Sequence, residues 1–209
     1  MATAPSASPV AKGLQPAKRA FKPPKSTASH QDGDLARALE LSKKEAVAKS
    51  LLSENEDREF QIVLEGLGLN IVAVEPDGHC LYRSVTMSGH AGTNDFRILR
   101  KRVADEMIYD ADRYKALMAA DPVHNDETAD FATYVADVRR LVDPIKFGGD
   151  LELRALSNML AARITILKSN GTCHHYIPEG ISGNPLSFPL VRLTYHLHLF
   201  AAPHYQLLE

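Results

Sequence analysis

The chain has 209 residues, 44% of them hydrophobic and 24% charged, with no tryptophan and a formal net charge of -2. That length suits one compact domain with a tail or two small domains, the charge supplies no global basic field for nucleic acid, and no apolar run approaches the ~18 residues needed to cross a bilayer. Its two cysteines, Cys80 and Cys173, make no disulfide framework and fit a reducing, cytoplasmic setting with access to the nucleus.

Residues 1–30 hold Pro5, Pro9, Pro16, Pro23 and Pro24 with Lys12, Lys18, Arg19, Lys22 and Lys25, and no acid. So little apolar surface cannot offset chain entropy, and a disordered tail is expected. It lacks the continuous apolar core of a signal peptide, and its prolines spoil the amphipathic helix of a transit peptide. Five cations without aromatics would give nucleic acid only a generic electrostatic contact.

Residues 32–50 are dense in helix formers. Leu35, Ala38, Leu39 and Ser42 fall at i, i+3, i+4 and i+7 and share one face. Asp32 and Asp34 lead in and Glu45 closes the stretch. The run from Asp32 to Glu45 resembles the ubiquitin-interacting motif, a single helix whose small alanine lets it lie close to an apolar patch. That resemblance implies contact with ubiquitin through Leu35, Ala38, Leu39 and Ser42. The alternative is an amphipathic helix that packs on its own domain.

From residue 54 to 209 the pattern is that of a folded domain. Phe60, Val63, Leu64 and Leu67 predict a helix ending at Gly68, and residues 70–75 a short strand. A turn at Asp77-Gly78-His79 then leads into a helix from Cys80 to about Met87. Thr93 or Asn94 can cap a helix carrying Phe96, Leu99, Val103 and Met107. Tyr114 and Leu117 mark a short helix ended by Asp121-Pro122. Phe131, Tyr134, Val135, Val138 and Leu141 mark another, stopped by Asp143-Pro144. Gly148-Gly149 is a turn, with Asp150 capping a helix of Leu153, Leu156 and Leu160. Strands are expected at 164–167 and, past the Asn170-Gly171 turn, at about 174–177. Residues 190–200 alternate, placing Val191, Leu193, Tyr195, Leu197 and Leu199 on a core face and Arg192, Thr194, His196, His198 and Phe200 on the other. Helices come early and strands late, so the expected class is α+β, with a mixed or antiparallel sheet sandwiched by helices.

The chemistry centres on Asp77-Gly78-His79-Cys80 and on His204 near the end of the chain. A thiol attacks as its thiolate and needs a positive neighbour or a helix N-terminus to form it. The predicted turn puts Cys80 where a helix begins, and amides there can also bind an oxyanion. Gly78 suits a sharply bent backbone, and Asp77 can hold the turn through backbone hydrogen bonds. His204 on a late strand supplies a distant base, since such partners meet in space rather than in sequence. The competing reading of Cys80 is a buried, inert residue.

Together DGHCLYRS at 77–84, GGDLELRALSNMLAARITIL at 148–167 and a strand bearing His204-Tyr205 resemble the OTU (ovarian tumour) family of cysteine deubiquitinases, nearest its OTU domain-containing protein 6 subfamily. The likeness runs from about Phe60 to Leu208. It implies an OTU-like, papain-like cysteine protease domain in which Cys80 is the nucleophile, His204 the base and then the acid, and Asp77 the acidic residue of the turn. The family often has Asn or Asp two residues after the histidine to orient its ring; here that position is Gln206. The implied reaction is hydrolysis of isopeptide bonds at the ubiquitin C-terminus through a thioester, with no cofactor or metal. The implied partners are ubiquitin, polyubiquitin chains and ubiquitinated proteins, met by a monomer, with no membrane or nucleic acid.

His174, His175, His196 and His198 lack the spacing of a metal site and are expected to be strand residues. His79 beside Cys80 ranks below His204 as a base, and Cys173 is expected to be non-catalytic. Two rival readings remain from the residues: a catalytically weak or inactive ubiquitin-binding module, suggested by Gln206, and a thiol protease for another ubiquitin-like modifier or an ordinary peptide.

Overall fold

Nothing between Leu52 and Arg58 can stop a helix: Ser53, Glu54, Asn55, Glu56 and Asp57 include no glycine or proline. The two helices expected on either side therefore join into one, α1, Ala28–Leu67. It ends at Gly68 in the left-handed region, with the Gly68 and Leu69 amides folding back onto the carbonyls of Glu65 and Leu64. The structure, a computed structural model, describes residues 28–120, 130–182, 184–200 and 202–209. Most of the expected disordered tail, and the Asp121-Pro122 stop, lie outside them.

Contacts divide the chain into two units, residues 1–44 and 45–209. In the first, α1 presents Leu35, Ala38, Leu39 and Ser42 to solvent. Leu35 is 71% and Leu39 57% exposed.

In the second unit, β1 (Ile71–Val72) is followed by α2 (Cys80–Met87), α3 (Phe96–Tyr109), α4 (Ala111–Ala120), α5 (Phe131–Arg139) and α6 (Asp150–Leu160). Then come β2 (Arg163–Leu167), β3 (Cys173–Tyr176), β4 (Leu190–His196) and β5 (His204–Leu208). Among the described residues these strands form one sheet, ordered β1-β5-β4-β2-β3. Only β2 and β4 pair in parallel; β1–β5, β4–β5 and β2–β3 are antiparallel. The class is α+β with a mixed sheet, as expected.

Both faces of the sheet are covered. Leu81, Val85, Leu99, Val103, Leu156, Ile164, Leu193 and Leu207 share the main core. On the opposite face, Phe60 and Leu64 of α1 pack with Leu167 and Leu208. Fully burying an apolar side chain of this size contributes about 1.5–3 kcal/mol. Thr194 and His196 lie on the face assigned away from the core, yet both are fully buried.

Other local expectations shift for physical reasons. The α3 cap is Asp95, whose carboxylate accepts from the Arg97 amide at 2.8 Å, while Thr93 accepts from the Asp95 amide at 3.1 Å. At α6 Gly149 occupies the cap position and its amide donates to Glu152 at 2.7 Å, so Asp150 is free to pair with Arg154 at 2.6 Å. The strand expected through residue 200 stops at His196, because the Leu197, His198 and Leu199 amides turn to the Glu56 carboxylate. Leu197, assigned to the core, is consequently 52% exposed.

Gly148 sits against the start of α2, where a Cβ would lie 2.4 Å from Cδ2 of Leu81. Overpacking of this kind costs roughly 1–3 kcal/mol. Gly148→Ala should lower the urea midpoint without changing the denaturant slope; an unchanged midpoint would contradict the packing described.

Candidate active site

Two antiparallel pairings assemble the site. β1 pairs Ile71 with Leu208 and Val72 with Leu207, and β4 pairs His196 with His204 on the other side of β5. The chain leaving β1 therefore runs alongside the start of β5 before it reaches Cys80. The turn before Cys80 is tight: Gly78 has φ +74°, and a Cβ there would meet Cγ2 of Ile145 at 3.0 Å. Cys80 then opens α2.

The sulfur and the histidine strand meet directly. The Tyr205 amide, one residue after His204, donates to Sγ of Cys80 at 3.5 Å, and the Ser84 hydroxyl donates to the Tyr205 carbonyl at 3.3 Å. The His204 ring has Nε2 at 3.0 Å from the Val74 carbonyl. A carbonyl can only accept, so Nε2 carries the proton and Nδ1 bears the lone pair. Nδ1 is buried and has no hydrogen-bond partner among the described residues. The ring is thus held as a neutral base by a main-chain oxygen.

Gln206, expected to orient His204, lies elsewhere. Its amide bears on His196 and raises that ring's proton affinity, although Nδ1 of His196 makes no hydrogen bond of ordinary geometry. The Nε2 atom of His196 is 2.9 Å from the Thr194 hydroxyl. The position two residues after the histidine therefore serves the neighbouring ring, and Val74 takes the orienting place.

Asp77 holds the turn and the local charge. One oxygen accepts from the His79 amide at 2.9 Å; the other accepts from Arg83 Nε at 2.9 Å and Nη2 at 2.6 Å. Partial burial works to raise the Asp77 carboxyl, but the Arg83 and His79 hydrogen bonds and the Arg83 charge outweigh it and leave the pKa lowered. The guanidinium of Arg83 also stacks 4.0 Å above the Phe96 ring. The charge on Asp77 acts on both candidate groups, raising the affinity of Cys80 and of His204 for a proton.

The turn is expected to favour a thiolate, yet burial pushes the Cys80 thiol up despite lowering contributions from the Tyr205, Leu81 and Cys80 amides. Burial likewise pushes His204 down, against the Val74 hydrogen bond and the Asp77 charge. At rest the two groups are thiol and neutral imidazole. Cys80 is 2% and His204 1% exposed, so bulk water contributes little to their charge balance.

His79 is engaged by other partners. Its Nδ1 lies 3.2 Å from Arg100, its ring packs on Phe96, and burial followed by the Arg100 charge lowers its pKa. Arg100 itself is fully buried and is not among the residues that sequence reasoning selects. It donates to the carbonyls of Val138, Gly78, Asp137 and Lys146, tying the turn before Cys80 to α5 and to the loop before α6. A signal for it exists: Arg100 lies four residues after Phe96 and three before Val103, so a cation sits on an apolar stripe. Val74 leaves no such signal, because it acts through its main chain.

The remaining histidines have ordinary partners. His174 packs on Tyr176, and His175 lies 2.9 Å from the Thr165 hydroxyl. Cys173 is exposed on β3. Among the described residues no group of three or more His, Cys, Asp or Glu side chains is placed to hold a metal ion. A cavity of about 770 Å³ beside Phe131 and Val135 includes neither Cys80 nor His204.

Residues 75–205, more than half of the chain, match the family model described as OTU-like cysteine protease. The chain is similar to ubiquitin thioesterase otu2 of Schizosaccharomyces pombe, 24% identical over 152 residues, covering 71% of this chain and 48% of that protein. It is also similar to deubiquitinase OTUD6B of Mus musculus, 26% identical over 188 residues, covering 84% of this chain and 62% of that protein. The chain spans about half the length of the curated relatives it matches. Among solved structures, the OTUD1 OTU domain shares the fold, with a TM-score of 0.58 at 20% identity, covering 77% of this chain and 99% of that one.

Burial drives the His196 pKa from 6.5 down to about 4, against opposing help from Glu56 and Gln206. Between those values the unfolded chain binds more protons than the native one, so this contribution is intact above about 6.5 and is lost as pH falls toward 4. His196→Asn should therefore lose less stability than wild type between pH 7 and pH 5, measured by urea unfolding at each pH. Equal losses would show that the buried ring does not carry this sensitivity.

Proposed function

The chain belongs to the OTU-like cysteine protease family, and from that premise we propose that it is a cysteine-dependent deubiquitinase that hydrolyses isopeptide bonds at the ubiquitin C-terminus. The observation that carries the proposal is the state of His204: Nε2 is engaged by the Val74 carbonyl, Nδ1 is buried with no partner among the described residues, and the amide of the next residue, Tyr205, donates to Sγ of Cys80.

In the proposed reaction Nδ1 takes the thiol proton as Sγ attacks the isopeptide carbonyl. Starting from a neutral pair, the step creates charge in a buried site. The Asp77 carboxylate favours the imidazolium, and amides at the start of α2 favour negative charge on sulfur and on the carbonyl oxygen. Collapse of the tetrahedral adduct expels the lysine amine, which takes the proton from His204, and leaves a thioester on Cys80. Water then attacks the thioester with His204 again as base, releasing the ubiquitin carboxylate and restoring the thiol. Every step uses side chains and main-chain groups of this chain, substrate and water.

The rival reading of an inactive module rested on Gln206. With Nε2 already bonded to Val74, a third side chain at that position is not required. The names borne by the relatives, ubiquitin thioesterase and deubiquitinase, support ubiquitin over another modifier as the substrate. The exposed face of Leu35, Ala38, Leu39 and Ser42 supports a second ubiquitin contact on the helix that carries it. Tethering would raise the local concentration of a polyubiquitin chain without adding catalytic contacts.

Cleavage of a diubiquitin panel tests the assignment. Cys80→Ala and His204→Ala should each lose ~10³-fold or more, whereas Gln206→Ala should stay within about threefold, the range of a residue outside the reacting groups. A wild-type protein that binds ubiquitin but cleaves no linkage would refute the enzyme reading. Leu39→Ala combined with Ser42→Ala should slow processing of long chains more than release of a fluorophore from monoubiquitin. Equal effects on both substrates would remove the tethering role.

A further inference from the structure

The segment that delivers His204 is anchored by a residue outside the matched family region. Glu56, on α1, is almost wholly buried, and its carboxylate is held by main chain: Oε1 accepts from the Leu197 amide at 2.8 Å, and Oε2 from the His198 and Leu199 amides at 2.7 and 2.6 Å. Three successive amides converging on one carboxylate fix the backbone of a turn more firmly than neutral acceptors would. Leu197 itself is half exposed.

Immediately after these three residues stands the Phe200 ring, with its centroid 4.2 Å from that of His204 and 5.4 Å from that of His196. One helical turn after Glu56, Phe60 packs 4.4 Å from His196. The Val74 hydrogen bond fixes one atom of the His204 ring, and a single bond leaves the ring plane free to tilt. The Phe200 ring packs against His204 where it can restrict that tilt, and Glu56 holds the three amides just before Phe200.

We propose that Glu56 is a positioning residue for the base: by clamping the 197–199 amides it sets Phe200 against His204 and keeps Nδ1 aligned for the Cys80 proton. The inference rests on the reading of Cys80 and His204 as nucleophile and base. It makes the part of α1 around Glu56 a support for the catalytic apparatus, acting through the 197–199 amides and Phe200.

The test compares Glu56→Gln, which keeps size without charge, with Glu56→Asp, which keeps charge on a shorter arm. Two readouts separate alignment from mere folding. The first is the kcat and KM for a fluorogenic ubiquitin C-terminal substrate. The second is the ¹⁵N spectrum of labelled histidines, with His204 assigned by its loss in His204→Gln. In wild type the His204 nitrogens should show a single tautomer protonated at Nε2. Glu56→Gln should lower kcat about tenfold with KM within about twofold, and the two ring shifts should move toward each other as tautomers mix. Glu56→Asp should recover part of both.

An unchanged kcat and tautomer in folded Glu56→Gln would overturn the proposal. So would a change confined to KM, or a fall in kcat that tracks only the unfolded fraction. If wild type cleaves no ubiquitin conjugate, the functional reading fails instead, and the tautomer comparison still decides whether Glu56 aligns the ring.

Discussion

Antiparallel pairing of β5 with β1 on one side and β4 on the other is the constraint on which the site depends. The first pairing brings the Val74 carbonyl to Nε2 of His204 and leads the chain on toward Cys80. The second carries the turn before His204 and sets His196 opposite it. Because β5 is buried along its whole length, a one-residue slip would send His204 to the opposite face and bury the wrong side chains. Register and chemistry are therefore fixed by the same burial.

Charge in this interior is managed by main chain as much as by opposite charges. Arg100 is surrounded by carbonyl oxygens and the His79 ring, and Glu56 by amides. Both ions are thereby solvated by oriented dipoles that are already in place, which offsets the large cost of removing them from water. Asp77 and Arg83 form an ion pair at the turn before Cys80, and they are partly exposed. Burial leaves Cys80 and His204 neutral at rest, so the proposed reaction builds its charge within a framework of fixed dipoles and one carboxylate.

The covering of both sheet faces explains why α1 matters to the second unit. Phe60 and Leu64 close the face that carries Thr194, His196, His204 and Gln206, and Glu56 on the same helix reaches the turn beyond β4. Alternation in residues 190–200 suggests one buried and one open face. The open face is in fact covered by α1, and its polar residues pair with one another beneath that cover. Polar side chains on a strand therefore do not mark solvent here.

Local chemistry was enough to read the α+β class, the helix opened by Cys80, the turn that needs Gly78, and Cys80 and His204 as the candidate reactive pair. Each of these is written in periodicity, in a residue with few backbone options, or in a reactive side chain whose type is visible in the sequence itself. The partner of the His204 ring, the place of Gln206, the end of β4 and the reach of Glu56 were decided only by tertiary structure. Val74 acts through a carbonyl that every residue possesses, and Glu56 meets amides 141 to 143 residues away. Such contacts depend on which strands pair and which helix covers them, and no local pattern of side chains encodes that.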